Sequence, residues 1–198
     1  RTRRRTEPLI AVRGLDVLRK MEFRHYNLTE ASSIKELFTS VFSESEGEPE
    51  GQLIGDLAKE LLISTAPEDL FVFVAVEDNE VVGAIFVTRM PAEKESEIFV
   101  LAPVAVATKQ QGKGIGQKLI QYGIKELKEV GVKVLVTYGD PNFYSKTGFQ
   151  KIAEKTIQPP FKLTQPEGWL AQALDGSPLQ MIEGKCSCVS ALDDSRYW

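Results

Sequence analysis

The feature that most constrains the fold of this chain is a glycine-rich loop in its middle. The loop, from Gln111 to Gly116, reads QGKGIG; the apolar segment Ile98–Val106 precedes it, and a segment with apolar residues at helical spacing follows it. Glycines allow successive backbone N–H groups to converge, and the start of a helix adds partial positive charge. The loop therefore predicts a phosphate or pyrophosphate site within a strand–loop–helix unit.

The segments on either side of the loop predict a mixed sheet. Upstream, apolar residues three or four positions apart indicate two helices, separated by the glutamate-rich segment Ser43–Gly51, which we expect to be a solvated loop. Three strands joined by short turns should form an antiparallel meander, and the strand after the central helix should run parallel to the strand before the loop. The expected strands are 21–26, 70–76, 81–89, 98–106, 132–138, 149–153, 169–174 and 186–189, and the expected helices are 29–42, 53–62, 114–130 and 142–146. The predicted fold class is α/β, or α+β with a mixed sheet, around one central βαβ unit.

Three classes of ligand use a loop of this kind, and glycine spacing separates them. A P-loop needs a hydroxyl residue directly after its lysine, whereas Lys118 is followed by Leu119. A dinucleotide fold needs Gly-x-Gly-x-x-Gly on a first strand, but this loop has Gly-x-Gly-x-Gly in mid-chain. The acyl-CoA pattern Gln/Arg-x-x-Gly-x-Gly/Ala fits Gln111, Gly114 and Gly116. A glycine-rich turn that only starts a helix stays open as an alternative.

From about Met21 to Glu154 the chain resembles the GNAT superfamily of acyl-CoA-dependent N-acyltransferases. The segment Leu101–Val106, LAPVAV, is similar to the family's fourth strand, and the glycine loop is similar to its pyrophosphate loop. The segment Asp140–Phe149, DPNFYSKTGF, resembles the family's short-helix motif, in which a tyrosine precedes Gly-Phe. Together with a C-terminal β extension, these segments resemble a bacterial branch of the family. The resemblance implies the GNAT fold, a central mixed sheet flanked by helices.

The resemblance also implies which residues bind acetyl-CoA. In the family the fourth and fifth strands splay apart and the pantetheine pairs with the fourth, which here would engage main-chain groups of Val104 and Val106. Pro103 is consistent with a local irregularity, because proline in a sheet marks bulges or edges. The implied cofactor-binding residues are Val104, Ala105, Val106, Gln111, Gly112, Lys113, Gly114, Ile115, Gly116, Gln117, Asn142 and Tyr144.

The implied reaction is direct attack of a neutral amine on the thioester, which requires an acid and a base. Tyr144 is the expected proton donor to the leaving thiolate, and a bulge N–H near Val104 is the expected donor to the thioester oxygen. Glu97 is one candidate for the base and Asp140 another, while a water chain would leave no trace in the sequence. No metal is expected.

The expected acceptor walls come from the first two helices and the C-terminal residues. Aromatic candidates there are Phe38, Phe42, Phe161, Trp169 and Trp198. The glutamates Glu44, Glu46, Glu48 and Glu50 could attract a cationic amine, although a solvated loop is the default interpretation of them.

The sequence thus predicts an N-acetyltransferase that transfers the acetyl group of acetyl-CoA to a primary amine of a small molecule or peptide. The alternatives are a non-catalytic acyl-CoA sensor and, less well matched by the glycine spacing, a nucleotide-binding oxidoreductase. Residues 21–155 are the expected N-acetyltransferase domain, and residues 156–198 a β extension packed on it. Residues 1–20 read as a basic leader or an expression remnant.

The charge and the cysteine content limit which partners and which location are expected. The net charge is −4, yet residues 1–20 carry seven basic and two acidic side chains, so the rest of the chain is acidic and nucleic acid is not an expected partner. No apolar run is long enough to span a membrane, and a cytoplasmic location is expected. Cys186 and Cys188 should point to opposite faces of a strand as reduced thiols. A homodimer is an open option.

Overall fold

The computed structural model describes residues 20–95 and 97–198. The basic leader predicted for residues 1–20 lies outside these ranges, apart from Lys20. The strands are β1 (Met21–His25), β2 (Leu70–Glu77), β3 (Glu80–Arg89), β4 (Ile98–Val106), β5 (Val134–Tyr138), β6 (Gln150–Lys151) and β7 (Trp169–Ala173). The helices are α1 (Ala31–Glu46), α2 (Glu48–Ser64), α3 (Ile115–Glu129) and α4 (Pro141–Tyr144).

One seven-stranded mixed sheet organises these elements, in the order β1-β2-β3-β4-β5-β7-β6. Strands β1 to β4 pair antiparallel with their neighbours, and β4 and β5 pair parallel. The predicted meander, the parallel pair and the βαβ unit formed by β4, α3 and β5 are therefore confirmed. Helices α1 and α2 contribute to the buried cluster on one face of the sheet, and α3 contributes to the cluster on the other.

The predicted solvated loop over Ser43–Gly51 is wrong. Helix α1 continues to Glu46 and α2 begins at Glu48, so that only Gly47, with a φ of 101°, separates them. Glutamate is a good helix former and is stabilised in the first turn of a helix, where the backbone N–H groups are free. The four glutamates thus lie in or beside the two helices rather than in a loop.

Two glycines of α2 allow this helical hairpin to close. A Cβ atom on Gly51 would lie 2.5 Å from the carbonyl oxygen of Thr39 and 2.6 Å from the nitrogen of Ser43, and a Cβ on Gly55 would overlap the Thr39 side chain. The two helix backbones therefore lie closer together than any residue with a side chain would permit.

Strand β4 is irregular at the predicted position. Leu101 lies opposite Val87 and Val104 lies opposite Ile85, so the two residues Ala102 and Pro103 fill the space opposite one residue of β3. This two-against-one register is a bulge. The Ala102–Pro103 peptide bond is cis.

Strands β4 and β5 separate directly before the bulge. Their pairing covers only Ile98–Leu101 against Val134–Thr137, whereas β4 continues for five more residues along β3. From Ala102 to Val106, the side of β4 that faces β5 therefore has no strand beside it. The splayed strands expected from the resemblance are present.

The C-terminal residues add β7 to the sheet, antiparallel to β5, and then turn back over α2. The predicted strand over 186–189 is wrong, because these residues form no strand; a single bridge joins Lys185 to Gln158. The argument that Cys186 and Cys188 point to opposite faces of a strand therefore loses its basis, although both are free thiols. Among the residues described, no helix is long and apolar enough to cross a membrane.

Because α1 and α2 lie so close together, we expect a substitution of Gly51 to change the free energy of unfolding in the direction opposite to that expected from helix propensity. On propensity alone, Gly51→Ala should stabilise α2 by about 1 kcal/mol. Because the new methyl group would meet the backbone of α1, we expect a loss of about 1–3 kcal/mol in the free energy of unfolding instead, measured by urea denaturation. Lys59→Ala, at an exposed position of the same helix, should change it by less than about 0.5 kcal/mol. A more stable Gly51→Ala variant would contradict the helix packing.

Candidate active site

A cavity of about 960 Å³ opens where β4 and β5 separate. The second half of β4, the glycine loop and the first residues of α3 form one side of it. The residues that follow β5, helix α4, helices α1 and α2, and the C-terminal residues form the rest. Because α3 and the α1–α2 hairpin cover opposite faces of the sheet, the cavity reaches both faces through the gap between the strands.

The glycine loop leaves open space beside the start of α3. Gly112 and Gly114 have φ angles of 76° and 77°, a backbone region that strongly favours glycine. A Cβ atom on either would have no neighbour within 4 Å. The first helical hydrogen bond goes from Lys118 N to Gly114 O at 3.1 Å, so the N–H groups that precede it in α3 have no acceptor within the helix. This arrangement suits an anion.

The main chain of β4 presents polar groups to the gap. Ala107 N donates to Val82 O on β3, and the alternation of an antiparallel ladder directs the groups of Ala105 to β3 as well. The N–H and C=O groups of Val104 and Val106 therefore point away from β3, into the cavity. The Val106 carbonyl accepts a hydrogen bond of 2.9 Å from Nε2 of Gln111. Ala105 lines the cavity without offering its main-chain groups to it.

Tyr144 lies at the end of α4 and lines the same cavity. Its ring packs edge-on against Phe143 and Phe149, with centroid distances of 5.0 and 5.7 Å. On another side it lies against Gly139, where a Cβ atom would come within 2.7 Å of the ring. A glycine at position 139 is thus needed for the tyrosine to adopt this position, and the ring is held on three sides.

The phenol of Tyr144 interacts with a buried threonine on β5. The hydroxyl of Thr137 donates to Leu101 O at 2.8 Å, and its interaction with the phenol is one of the influences on the pKa of Tyr144. Burial raises the pKa of Tyr144 to about 12, and the charge of Asp140 raises it too, whereas the interaction with Thr137 lowers it. The side chain therefore keeps its proton at any physiological pH, as a proton donor must.

The structure brings most of the predicted binding residues together at this cavity. Val104, Ala105, Val106, Gln111, Gly112, Gly114, Ile115, Gly116, Gln117 and Tyr144 all line it. Lys113 and Asn142 are exposed beside it, and neither lines it. The Lys113 ammonium donates to Oε1 of Gln110 at 2.7 Å, and the backbone N–H of Asn142 donates to Oδ1 of Asp140 at 2.9 Å.

The structure does not bring Glu97 to the cavity. Glu97 directly precedes β4, seven residues from Val104, which is roughly 23 Å along an extended strand. Its carboxylate pairs with Arg89 at 3.0 Å, and Arg89 also holds Asp69. Asp140, the other carboxylate considered from the sequence, does line the cavity.

Only some of the residues predicted to form the acceptor walls line the cavity. Phe42, Trp198, Glu46 and Glu50 line the cavity. Phe38 and Trp169 are fully buried core residues instead, and Phe161 packs against Trp198 outside the lining.

Sequence reasoning missed several residues of the site, including Thr137, Tyr138, Arg196 and Tyr197. Thr137 interrupts the otherwise apolar start of β5, VLVTY, and such a polar residue in a buried strand was the available signal. Tyr138 also lines the cavity, and its hydroxyl accepts a hydrogen bond of 2.7 Å from Gln165 N. Arg196 and Tyr197 reach the cavity only through the path of the C-terminal residues, which no local pattern reveals.

The family model for the acetyltransferase (GNAT) domain matches residues 68–151, which contain β2 to β6 and the glycine loop. By this match, residues 68–151 are similar to a GNAT acetyltransferase domain. The resemblance seen in the sequence and the expected fold class are both confirmed, and the same match supports the expectation of an acyltransferase.

Relatives of this chain include the N-acetyltransferase YjhQ of Escherichia coli K12, which is 28% identical over 167 residues, 81% of this chain and 88% of YjhQ. Among solved structures, a GNAT family acetyltransferase from Brucella melitensis in complex with acetyl-CoA is 26% identical, with a TM-score of 0.69 over 88% of this chain and 99% of that one. The E. coli protein YhbS, solved in complex with CoA, shares the fold, with a TM-score of 0.74 over 97% of both chains at 22% identity.

The raised pKa of Tyr144 can be measured directly. We expect the phenol to remain protonated up to about pH 11, since burial moves its pKa from 10 to about 12 and the charged form appears only as pH rises through that value. NMR titration of protein labelled at the tyrosine Cζ carbon would follow this, with the Tyr144→Phe variant assigning the resonance. An ionisation near pH 10 would contradict the buried position.

Proposed function

We propose that this protein transfers the acetyl group of acetyl-CoA to a primary amine by direct attack. The observation that carries the proposal is the gap between β4 and β5. In this gap, the main-chain groups of Val104 and Val106 that point away from β3 lie between an open glycine loop on one side and the protonated phenol of Tyr144 on another.

The residues present fit acetyl-CoA. The pyrophosphate would lie in the open space beside Gly112 and Gly114, where the free N–H groups of α3 supply hydrogen bonds and partial positive charge. The pantetheine amides would pair with the main chain of Val104 and Val106, displacing the Gln111 amide from the Val106 carbonyl. Lys113 and Asn142 stay predicted contacts, and both would have to turn their side chains toward the cavity.

When bound, acetyl-CoA would supply an activated acetyl thioester. The Val104 N–H, next to the bulge, would donate a hydrogen bond to the thioester oxygen. The Tyr144 phenol would give its proton to the leaving thiolate, and the packing of its ring against Phe143, Phe149 and Gly139 would keep it oriented meanwhile. Neither group needs to change its charge before the reaction.

The amine must lose a proton, and Glu97 is too distant to accept it. Asp140, which lines the cavity and caps α4 through Asn142 N, is the base that we propose, directly or through water.

We also propose that residues 156–198 extend the N-acetyltransferase domain rather than form a second one, because β7 pairs with β5 within the same sheet. We propose a cytoplasmic location as well, as expected from the sequence.

Binding of acetyl-CoA tests the glycine loop. Gly114→Val would place a side chain in the space meant for the pyrophosphate and should weaken binding at least about ten-fold, equivalent to one lost hydrogen bond to a charged group. Calorimetry with acetyl-CoA and free CoA measures this directly. Gly131→Val is the matched control, because Gly131 also has positive φ and open surroundings but follows α3 away from the cavity. Equal affinities of the two folded variants would refute the placement, and no binding to the wild type at millimolar concentration would refute the function.

Tyr144→Phe separates an enzyme from a protein that only senses acyl-CoA. Once an acceptor is known from an amine screen, this variant should lower kcat by at least about 100-fold because the leaving thiolate loses its proton donor. The affinity for acetyl-CoA should stay within a factor of about two, since the ring remains in place. Unchanged turnover would show that Tyr144 is not the acid.

A further inference from the structure

We propose that the acceptor is an amine carried on an apolar body, aromatic or branched aliphatic, with no anionic group next to the amine. This inference rests on the proposed function and specifies the substrate class of the same cavity. It follows from the composition of the part of the cavity formed by α1, α2 and residues 192–198, which we call the acceptor end.

The acceptor end has mostly apolar walls. Helices α1 and α2 contribute four apolar side chains to the lining there, and the C-terminal residues contribute two more. The wall residues are Val41, Phe42, Ile54, Leu57, Leu192 and Trp198. A polar group of an acceptor placed against such walls would lose its hydrogen bonds to water without replacement, which costs free energy. A hydrocarbon body would gain free energy by burial there.

The wall is held in position by the tertiary structure. The Trp198 side chain is buried, donates from Nε1 to Leu192 O at 3.0 Å and packs edge-on against Trp169. Leu57 is 4% exposed and Ile54 8% exposed. These side chains cannot turn away to make room for a hydrated substrate, so the apolar character of the acceptor end is a property of the folded chain.

Two carboxylates set the charge of the acceptor end. Glu46, the last residue of α1, and Glu50, in the first turn of α2, line the cavity and have no ion-pair partner among the residues described. The ammonium form of an approaching amine would be attracted to them. A carboxylate on the acceptor would be repelled.

The cations that line the cavity do not offset this charge. Arg196 is paired with Asp194, its Nη2 and Nε lying 2.7 and 2.9 Å from Oδ2. Lys146 belongs to the turn after α4, beside Tyr144, and not to the acceptor end. The acceptor end thus combines apolar walls with uncompensated negative charge, which matches an apolar cation.

The test compares three acceptors that differ in one property each. Phenylethylamine has the apolar body, phenylalanine adds a carboxylate beside the amine, and glucosamine replaces the apolar body with hydroxyl groups. Release of the CoA thiol measures turnover. We expect kcat/KM for phenylethylamine to exceed that for each of the others by at least about ten-fold.

A pair of glutamate variants tests the charge. Glu50→Gln should raise KM for phenylethylamine about five-fold, the scale of a partly exposed ion pair, while kcat changes little. Glu48→Gln is the matched control, since Glu48 lies two residues away in the same helix, is exposed and does not line the cavity. Equal effects of the two variants on KM would overturn the assignment of Glu50.

The outcomes separate this inference from the proposed function. Preference for phenylalanine or glucosamine, or no discrimination, overturns the inference while acetyl transfer stands. Absence of turnover with all three amines, in a protein that binds acetyl-CoA by calorimetry, also overturns it and leaves acetyl-CoA binding intact. A protein that does not bind acetyl-CoA refutes the proposed function and the inference together.

Discussion

The parting of β4 from β5 is the constraint on which the rest of the structure depends. A parallel pair of strands would normally continue, because unpaired main-chain groups in a protein interior are costly. Here, nearby side chains and a proline reduce the number of main-chain groups that the separation leaves without a hydrogen bond. The hydroxyl of Thr137 satisfies the Leu101 carbonyl where the pairing ends, Pro103 has no N–H to satisfy, and the Gln111 side chain satisfies the Val106 carbonyl. What remains is a short length of strand whose polar groups face a cavity.

Separate parts of the chain surround that gap, and each contributes a different property. The glycine loop and α3 contribute N–H groups that favour an anion, and the motif after β5 contributes a phenol that burial keeps protonated. The α1–α2 hairpin and the C-terminal residues contribute apolar surface and two carboxylates. The match to the GNAT family model covers residues 68–151, so the whole acceptor end, formed by α1, α2 and residues 192–198, lies outside the matched region. The proposed chemistry and the proposed acceptor preference thus depend on different stretches of the chain.

Sequence reasoning predicted this site unevenly, for physical reasons. Strand β4, the glycine loop and the motif around Tyr144 are local patterns, and all three lie where the sequence indicated. Glu97 was considered because it adjoins β4 in sequence, but a strand has two ends and adjacency does not tell which end faces the site. The glutamates of Ser43–Gly51 suggested a solvated loop on polarity alone, although glutamate is also a good helix former.

By itself, the sequence determined the helices and most strands, the parallel βαβ unit, the bulge at Pro103 and the glycine loop as a place for an anion, because these depend on residue spacing and backbone preference. Only the tertiary structure decided where β4 and β5 separate, how closely α1 approaches α2, that Thr137 lies near Tyr144, and that Ser190–Leu192 packs against α2. Each of these is a contact between residues that are not neighbours along the chain. Such contacts depend on sheet order and packing distance, which a local pattern does not carry.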